Sequence, residues 1–121
     1  MSVFHHVSEL EILPIWTGVI ARRVEGRQIT FAVVDLDPNA SVDQHQHPHE
    51  QLGIVLKGSL RFTIGSEVRD LGPGDTYVIP GGVPHQAVAG PKGTVVIDVF
   101  SPTRDDWGRF TPQPPSPSTW P

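Results

Sequence analysis

Four side chains that carry nitrogen or oxygen donors stand at spacings suited to a shared metal ion. His45 and His47 are two residues apart, so on an extended chain both point to the same face. Gln51 has the same parity, and His85 ends a Pro-Gly-Gly-x-Pro loop that restricts the backbone before it. Such donors suit a divalent transition metal such as Zn, Mn, Fe or Ni. We therefore predict that these four residues converge on one ion.

Two neighbouring residues offer alternative ligands. Glu50 carries a carboxylate, but its parity places it on the face opposite His47 and Gln51. His49 has the ligand parity, but the bend at Pro48 is expected to turn its ring toward the rim of the site. The sequence favours Gln51 over both residues and leaves both open as ligands.

A second polar group lies in the last strongly apolar segment, residues 94–100. Asp98 and Phe100 share one face of this predicted strand, and a carboxylate in so apolar a strand is costly unless it is paired or lies in a polar cavity. One interpretation is a buried partner for Arg22, for Arg23 or for a loop amide. The other places Asp98 in the site as a proton acceptor, with Phe100 as a wall. Arg22 is predicted to point inward toward an anionic substrate, with an ion pair on the face of its strand as the alternative.

The composition indicates that an all-β fold positions these groups. Fifteen Val and eight Ile stand beside seven Leu, and β-branched residues favour strands. Twelve Gly and thirteen Pro divide the chain, and no long stretch has helical apolar spacing. About ten short strands in a jelly-roll barrel are typical of such a pattern. The clearest are residues 18–24, 28–36, 51–57, 59–64, 67–71, 76–79 and 94–100, with a turn at Gly58.

A length of 121 residues corresponds to a single domain, in which three parts can be distinguished. Residues 1–16 are predicted to form an N-terminal strand or arm, a candidate for exchange between the subunits of a homodimer. Residues 17–101 form the barrel. Residues 102–121 contain six of the thirteen prolines and are predicted to be a partly extended or disordered tail, after Trp107 and Phe110 have covered the barrel wall.

Charge and cysteine content exclude several functions. Nine Lys and Arg against thirteen Asp and Glu give a net charge of −4, which argues against a nucleic-acid surface. The absence of Cys excludes disulfides, thiolate metal sites and cysteine nucleophiles. No apolar run approaches the length of a membrane span, and the first residues lack a signal-peptide apolar region. We expect a cytoplasmic protein that acts on a small molecule, with no membrane or nucleic-acid partner.

Two segments in the middle of the chain resemble the two motifs of the cupin family. Residues 39–58 match Gly-x5-His-x-His-x3-Glu-x6-Gly in spacing, and residues 74–85 match Gly-x5-Pro-x-Gly-x2-His, the start of the second motif. Asn39, Gln51 and Ala89 stand where the family motifs have Gly, Glu and Asn. The resemblance implies a single-domain cupin jelly roll with a metal inside, held by His45, His47, Gln51 and His85.

The segment from Asp98 to Trp107 resembles the ending of one subgroup, the small cupins of pectin and alginate breakdown, which linearise unsaturated uronic acids into open-chain keto sugars. This resemblance implies catalytic roles for Asp98 and Arg104 and a substrate contact for Phe100. With Gln51 in place of Glu the ligand set is neutral, which favours Lewis-acid isomerisation. A dioxygenase using Fe or Mn, a polyketide cyclase-like cupin and a non-catalytic small-molecule-binding cupin stay open as alternatives.

Overall fold

The computed structural model describes residues 2–116 and confirms the all-β prediction. Residue 1 of the predicted arm and residues 117–121 of the predicted tail lie outside the described residues. Within residues 2–116, two short 3₁₀-helices, Val7–Glu9 and Asp105–Arg109, accompany eight strands. The strands are β1 Leu13–Trp16, β2 Val19–Glu25, β3 Thr30–Leu36, β4 Ser41–His45, β5 Glu50–Ile64, β6 Glu67–Leu71, β7 Thr76–Ile79 and β8 His85–Ser101.

The sheet is organised around its two longest strands. β5 and β8 pair antiparallel from Glu50 opposite Ser101 to Ile64 opposite His85, with two shifts of register near Gly58. On its other edge β8 pairs first with β4 and then with β3, which continues the sheet through β2 to β1. β6 and β7 pair with the two halves of β5. This topology brings the end of β4 next to the beginning of β8, where two of the predicted ligands lie.

β5 is one continuous strand where the sequence predicts two. The predicted turn at Gly58 is a bend within the strand, because Gly58 has a φ of 76° and the register with β8 shifts on both sides of it. A Cβ at this position would overlap the carbonyl group of Gly93, so the bend needs glycine. Gly58 therefore marks an irregularity within one strand, and not a turn between two strands, because pairing continues on either side of it.

β8 extends well beyond the strand predicted at 94–100. It begins at His85 and continues through residues 90–93, a stretch of Gly and Pro that is typical of a turn. The residues on either side of this stretch are paired, Ala89 with Leu60 and Thr94 with Gly58, so the strand continues across it. His85 is therefore the first residue of a strand, and its position is fixed by the ladder as well as by the loop before it.

Alternating side chains of the strands fill the interior. On β8, Val96, Asp98 and Phe100 are buried on the inner face, as the sequence predicts. Trp107, from the helix that follows β8, is buried against Phe100 with the ring centroids 5.3 Å apart, and Phe110 packs on the same core. These two aromatic residues close the barrel wall next to the site.

The N-terminal segment joins the sheet of its own chain. β1 pairs with β2, and an isolated bridge connects Ile12 to Gln113. Val3 and Phe4, which precede β1, are exposed. Exchange of this arm between subunits stays a prediction. No helix within residues 2–116 has the length and apolar composition that a membrane crossing requires.

Candidate metal centre

Three histidines from two distant parts of the sequence meet at one end of the sheet. His45 is the last residue of β4, His85 is the first of β8, and the two pair in register. His47 follows in the loop between β4 and β5. One ring nitrogen of each residue lies within 4.8 Å of the others, close enough for all three to bind a single ion. The predicted histidine triad is present.

Each ring of the triad is oriented by a hydrogen bond from its Nδ1 to a backbone carbonyl. Because a carbonyl oxygen only accepts, each Nδ1 carries the proton and each Nε2 keeps its lone pair for a metal. The same bonds restrict rotation of the rings. The acceptors are the carbonyl oxygens of Asp43 for His45 at 2.8 Å, of His49 for His47 at 3.1 Å and of Val83 for His85 at 2.9 Å.

Gln51 adds a fourth donor from the start of β5. It is buried, and its Oε1 lies 3.1 Å from Nε2 of His47. Burial, followed by the charge of Arg104, lowers the pKa of His47 to about 4, and burial also lowers the pKa of His85, so both rings are neutral at neutral pH. With the proton of His47 on Nδ1, two lone pairs face each other, one on its Nε2 and one on Oε1 of Gln51. A shared cation relieves this repulsion, so the donor set fits a divalent metal.

Asp98 lies beside this donor set on β8. It is buried, accepts a hydrogen bond from the hydroxyl of Tyr77 at 2.5 Å and is hydrogen-bonded to the carboxamide of Gln51. Burial raises the pKa of Asp98 to about 6, against the opposing effect of these hydrogen bonds. Burial also raises the pKa of Tyr77, whose hydroxyl stays protonated. Arg22 and Arg23 pair with Asp35 and Glu25, so neither is the partner of Asp98.

Arg104 is held in a fixed orientation by charge and by aromatic rings. Its Nε and Nη2 donate to the two carboxylate oxygens of Asp106, both at 3.0 Å. Its Cζ lies 4.6 Å from the ring centre of Phe100 and 4.7 Å from that of Trp107. Burial opposes ionisation of Asp106, but the hydrogen bonds and charge of Arg104 prevail and lower the pKa of Asp106. The Nη1–Nη2 edge of the guanidinium points away from Asp106.

A cavity of about 90 Å³ joins these groups. Trp16 of β1 also lines it, with its ring 5.3 Å from that of His45. Metal donors, a buried carboxylate and an arginine thus share one small space with apolar walls, an arrangement typical of a small-molecule site. The predicted site residues that line it are His45, Gln51, His85, Asp98, Phe100 and Arg104.

Arg22 is not brought to this cavity, which corrects the predicted substrate contact. The residues of β2 that enter the core are Val19 and Ala21, so Arg22 has the opposite parity and lies on the outer face of the sheet. There it is buried, and its Nη1 donates to Asp35 at 2.7 Å.

Neither alternative ligand joins the triad. Glu50 is exposed, and its parity on β5 is opposite to that of buried Gln51. His49 is buried, with its Nε2 3.8 Å from Oδ1 of Asp106, and its Nδ1 has no hydrogen-bond partner among the described residues. Both residues lie outside the group of donors that converge.

Tyr77 and Trp16 are residues of the site that the sequence does not predict. One feature of the sequence could have indicated a large side chain near the site, namely Gly53 on the strand next to Tyr77. Glycine inside a strand often marks the close approach of another group, and a Cβ at Gly53 would overlap the ring of Tyr77. Trp16 has no comparable signal, because it is one of several apolar residues in the N-terminal segment.

Comparison with known proteins agrees with this geometry. The family described as Cupin domain matches residues 32–100, more than half of the chain. The chain belongs to the cupin family. The matched range contains the triad, Gln51 and Asp98, so the cupin match covers the elements that build the metal centre.

Two solved structures share the cupin fold over most of their length. An RmlC-like cupin from Shewanella frigidimarina gives a TM-score of 0.82 at 28% identity and covers 88% of this chain and 96% of that chain. KdgF from Halomonas sp. gives a TM-score of 0.80 at 33% identity and covers 88% of this chain and 98% of that chain. The predicted jelly-roll barrel of a small cupin is confirmed.

A curated relative of this cupin is the pectin degradation protein KdgF of Dickeya dadantii. It is 39% identical over 64 residues, which are 52% of this chain and 58% of that protein. The match therefore spans little more than half the length of that relative. The predicted similarity to the cupins of pectin degradation is confirmed.

Proposed function

We propose that this cupin is a metal-dependent isomerase that opens the ring of an unsaturated sugar acid. The observation that carries the proposal is the cavity that three of the four donors line together with Asp98 and Arg104. Its volume of about 90 Å³ is too small for a multi-ring polyketide. The similarity to two KdgF proteins, one of them described as a pectin degradation protein, supports the same substrate class.

Arg104 supplies recognition of the carboxylate that defines a sugar acid. A guanidinium pairs with a carboxylate through two parallel hydrogen bonds, and its Nη1–Nη2 edge points away from Asp106. The rings of Phe100 and Trp107 cover the guanidinium and exclude water, which strengthens the attraction. Arg104 would therefore bind the substrate and fix its orientation in the cavity.

Asp98 supplies the movable proton acceptor that ring opening needs. A proton leaves the hydroxyl on the anomeric carbon, the bond from that carbon to the ring oxygen breaks, and the anomeric carbon becomes an aldehyde. The enolate left on the other side of the broken bond takes up a proton on carbon and becomes a ketone. No water or oxidant is consumed, so the atoms balance. The carboxylate of Asp98, oriented by Tyr77 and Gln51, accepts the first proton and returns it.

The metal ligands in this proposal are the four neutral donors His45, His47, Gln51 and His85. A divalent ion bound by them keeps its +2 charge and supplies Lewis-acid polarisation of a sugar oxygen. Imidazole and amide donors accept Zn, Mn, Fe and Ni, so each of these metals is tested.

An isomerase assay on the metal-loaded protein tests the proposal. With an unsaturated uronate monosaccharide, we expect the ultraviolet absorbance of the substrate double bond to fall faster than in buffer, and equally fast under strict anaerobiosis. The same chain treated with a chelator is the matched control. Oxygen uptake coupled to turnover would favour a dioxygenase, and binding of the uronate without turnover would favour a non-catalytic cupin. Either result would refute the isomerase.

We propose further that the enzyme is a cytoplasmic homodimer that buries the outer face of the sheet. Phe31, Val99, Leu52 and Val78 pair in sequence across β3, β8, β5 and β7 and form one apolar row on this face. Phe31, Leu52 and Val78 are 38%, 46% and 58% exposed, which is unusual for a continuous apolar row on a monomer. The exposed arm ahead of β1 would extend onto the second copy.

Leu52→Glu tests this interface, because it introduces a charge in the middle of the row. We expect light scattering after gel filtration to show a dimer for the wild type and a monomer for the variant, with unchanged circular dichroism. Val88→Glu is the matched control, since Val88 is equally exposed on β8 but pairs opposite Arg61 and Ser41 in a polar row. A monomeric wild type, or a Leu52→Glu dimer, would contradict the proposed interface.

A further inference from the structure

Four residues lie side by side across the inner face of the sheet, and they connect Tyr77 to the metal centre. Ala32, Asp98, Gly53 and Tyr77 pair in register on β3, β8, β5 and β7. A Cβ on Gly53 would overlap the ring of Tyr77, so glycine leaves the space that this ring occupies. The ring extends across β5, and its hydroxyl reaches Oδ1 of Asp98.

Asp98 is the junction between Tyr77 and the proposed ligand Gln51. An ionised carboxylate only accepts hydrogen bonds, so the group of Gln51 that faces Asp98 is the amide nitrogen, Nε2. The other end of the carboxamide, Oε1, faces His47. The three side chains thus form one buried chain of hydrogen bonds that ends at the histidine triad.

We infer that Tyr77 and Asp98 are positioning residues that fix the orientation of the Gln51 carboxamide, with its oxygen toward the histidines. An amide has one donor end and one acceptor end, and its nitrogen has no lone pair free for a metal. A flipped carboxamide would present N–H groups to the cation. A carboxylate ligand needs no such device, because either of its oxygens binds. The inference rests on the proposed metal site and concerns metal affinity, independently of turnover.

A double-mutant cycle on metal affinity tests the inference. Calorimetric titration of the metal-free protein with Zn²⁺ is compared for the wild type, Asp98→Ala, Gln51→Glu and the double variant. Loss of an outer partner of a metal ligand typically weakens binding about 10- to 100-fold, and we expect Asp98→Ala to show such a loss. In the Gln51→Glu background, Asp98→Ala should leave the Zn²⁺ affinity unchanged or raise it. Either oxygen of the new glutamate can bind the ion, and Asp98→Ala removes the second carboxylate that would repel it.

Tyr77→Phe keeps the ring packed over Gly53 and gives a second measurement if Asp98→Ala does not fold. We expect Tyr77→Phe to lower the Zn²⁺ affinity less than Asp98→Ala does, and to cause no loss of affinity in the Gln51→Glu background. We also expect the visible spectrum of the Co²⁺-loaded protein to change. Val96→Ala is the matched control, because Val96 is a buried inner-face neighbour on β8. It should lower thermal stability and leave affinity and spectrum unchanged.

Two results would overturn this role. Equal losses of affinity in the Gln51 wild-type and Gln51→Glu backgrounds would mean that Tyr77 and Asp98 act only through packing. Unchanged Zn²⁺ affinity in Asp98→Ala and Tyr77→Phe would mean that the carboxamide orients without them. A wild-type protein that binds none of the four metals would instead refute the metal site itself, so the two failures are distinguishable.

Discussion

The His47→Ala protein is expected to retain almost no bound metal and to lose the metal-dependent part of its stability. His47 contributes one of four donors, and its ring is already oriented by the carbonyl of His49. A metal that binds only the native state stabilises it by about 2.7 kcal/mol at a free concentration 100 times Kd. We expect this increment to disappear. Elemental analysis and thermal unfolding, each with and without added metal, measure both effects.

His49→Ala is the matched control for that result. His49 is as buried as His47 and lies two residues away, but its ring is outside the converging donors. The substitution keeps the backbone carbonyl that accepts from His47. We expect this variant to bind metal with the full stabilising increment. If His49→Ala loses the metal and His47→Ala keeps it, the ligand assignment is wrong.

The convergence of the three histidines could be predicted from the sequence because their arrangement is set locally. His45 and His47 are related by the two-residue period of an extended chain, and a rigid Gly-Pro loop precedes His85. The resemblance to the two cupin motifs indicates that these two segments belong to one metal site. In the structure the triad forms where β4 and β8 pair, so the local spacing and the sheet topology both bring these histidines together.

Arg22 shows where the same reasoning fails. Parity separates the two faces of a strand without saying which one is inside, and both faces of β2 carry apolar residues. Small Ala21 packs in the core, while Arg22 is buried on the outer face by an ion pair with Asp35. The position of Tyr77 likewise depends on the register between β7, β5 and β8. Such pairings between distant strands are not visible in a single sequence.

Arg104→Lys is expected to lower kcat/KM for an unsaturated uronate by about 30-fold to a few thousand-fold, with metal content unchanged. Lysine keeps the charge but lacks the planar edge that pairs with a carboxylate. Truncating a buried, hydrogen-bonded member of a charge pair costs about 2–5 kcal/mol, and each 1.4 kcal/mol is tenfold. Steady-state kinetics and elemental analysis on the same preparation measure the two quantities.

Arg22→Lys is a closely matched control for this substitution. Arg22 and Arg104 are both buried, and each donates to an aspartate, Asp35 in one case and Asp106 in the other. Only Arg104 lines the cavity. We expect Arg22→Lys to lower the unfolding temperature and to leave kcat/KM unchanged. A comparable loss of kcat/KM in both variants would mean that the kinetic effect comes from general destabilisation.

A substrate analogue separates direct contact from packing at Arg104. When the carboxylate of the uronate is replaced by a neutral amide, the guanidinium no longer meets an anion, so wild type and Arg104→Lys should turn the analogue over at similar rates. Phe100 and Trp107 pack against Arg104 whichever substrate is present. A packing defect would therefore slow both substrates equally, and that outcome would remove Arg104 from substrate recognition. Asp106 holds the Nε–Nη2 edge of the guanidinium. The loss of kcat/KM that Arg104→Lys causes for the carboxylate substrate, and not for the amide, therefore measures binding at the opposite edge.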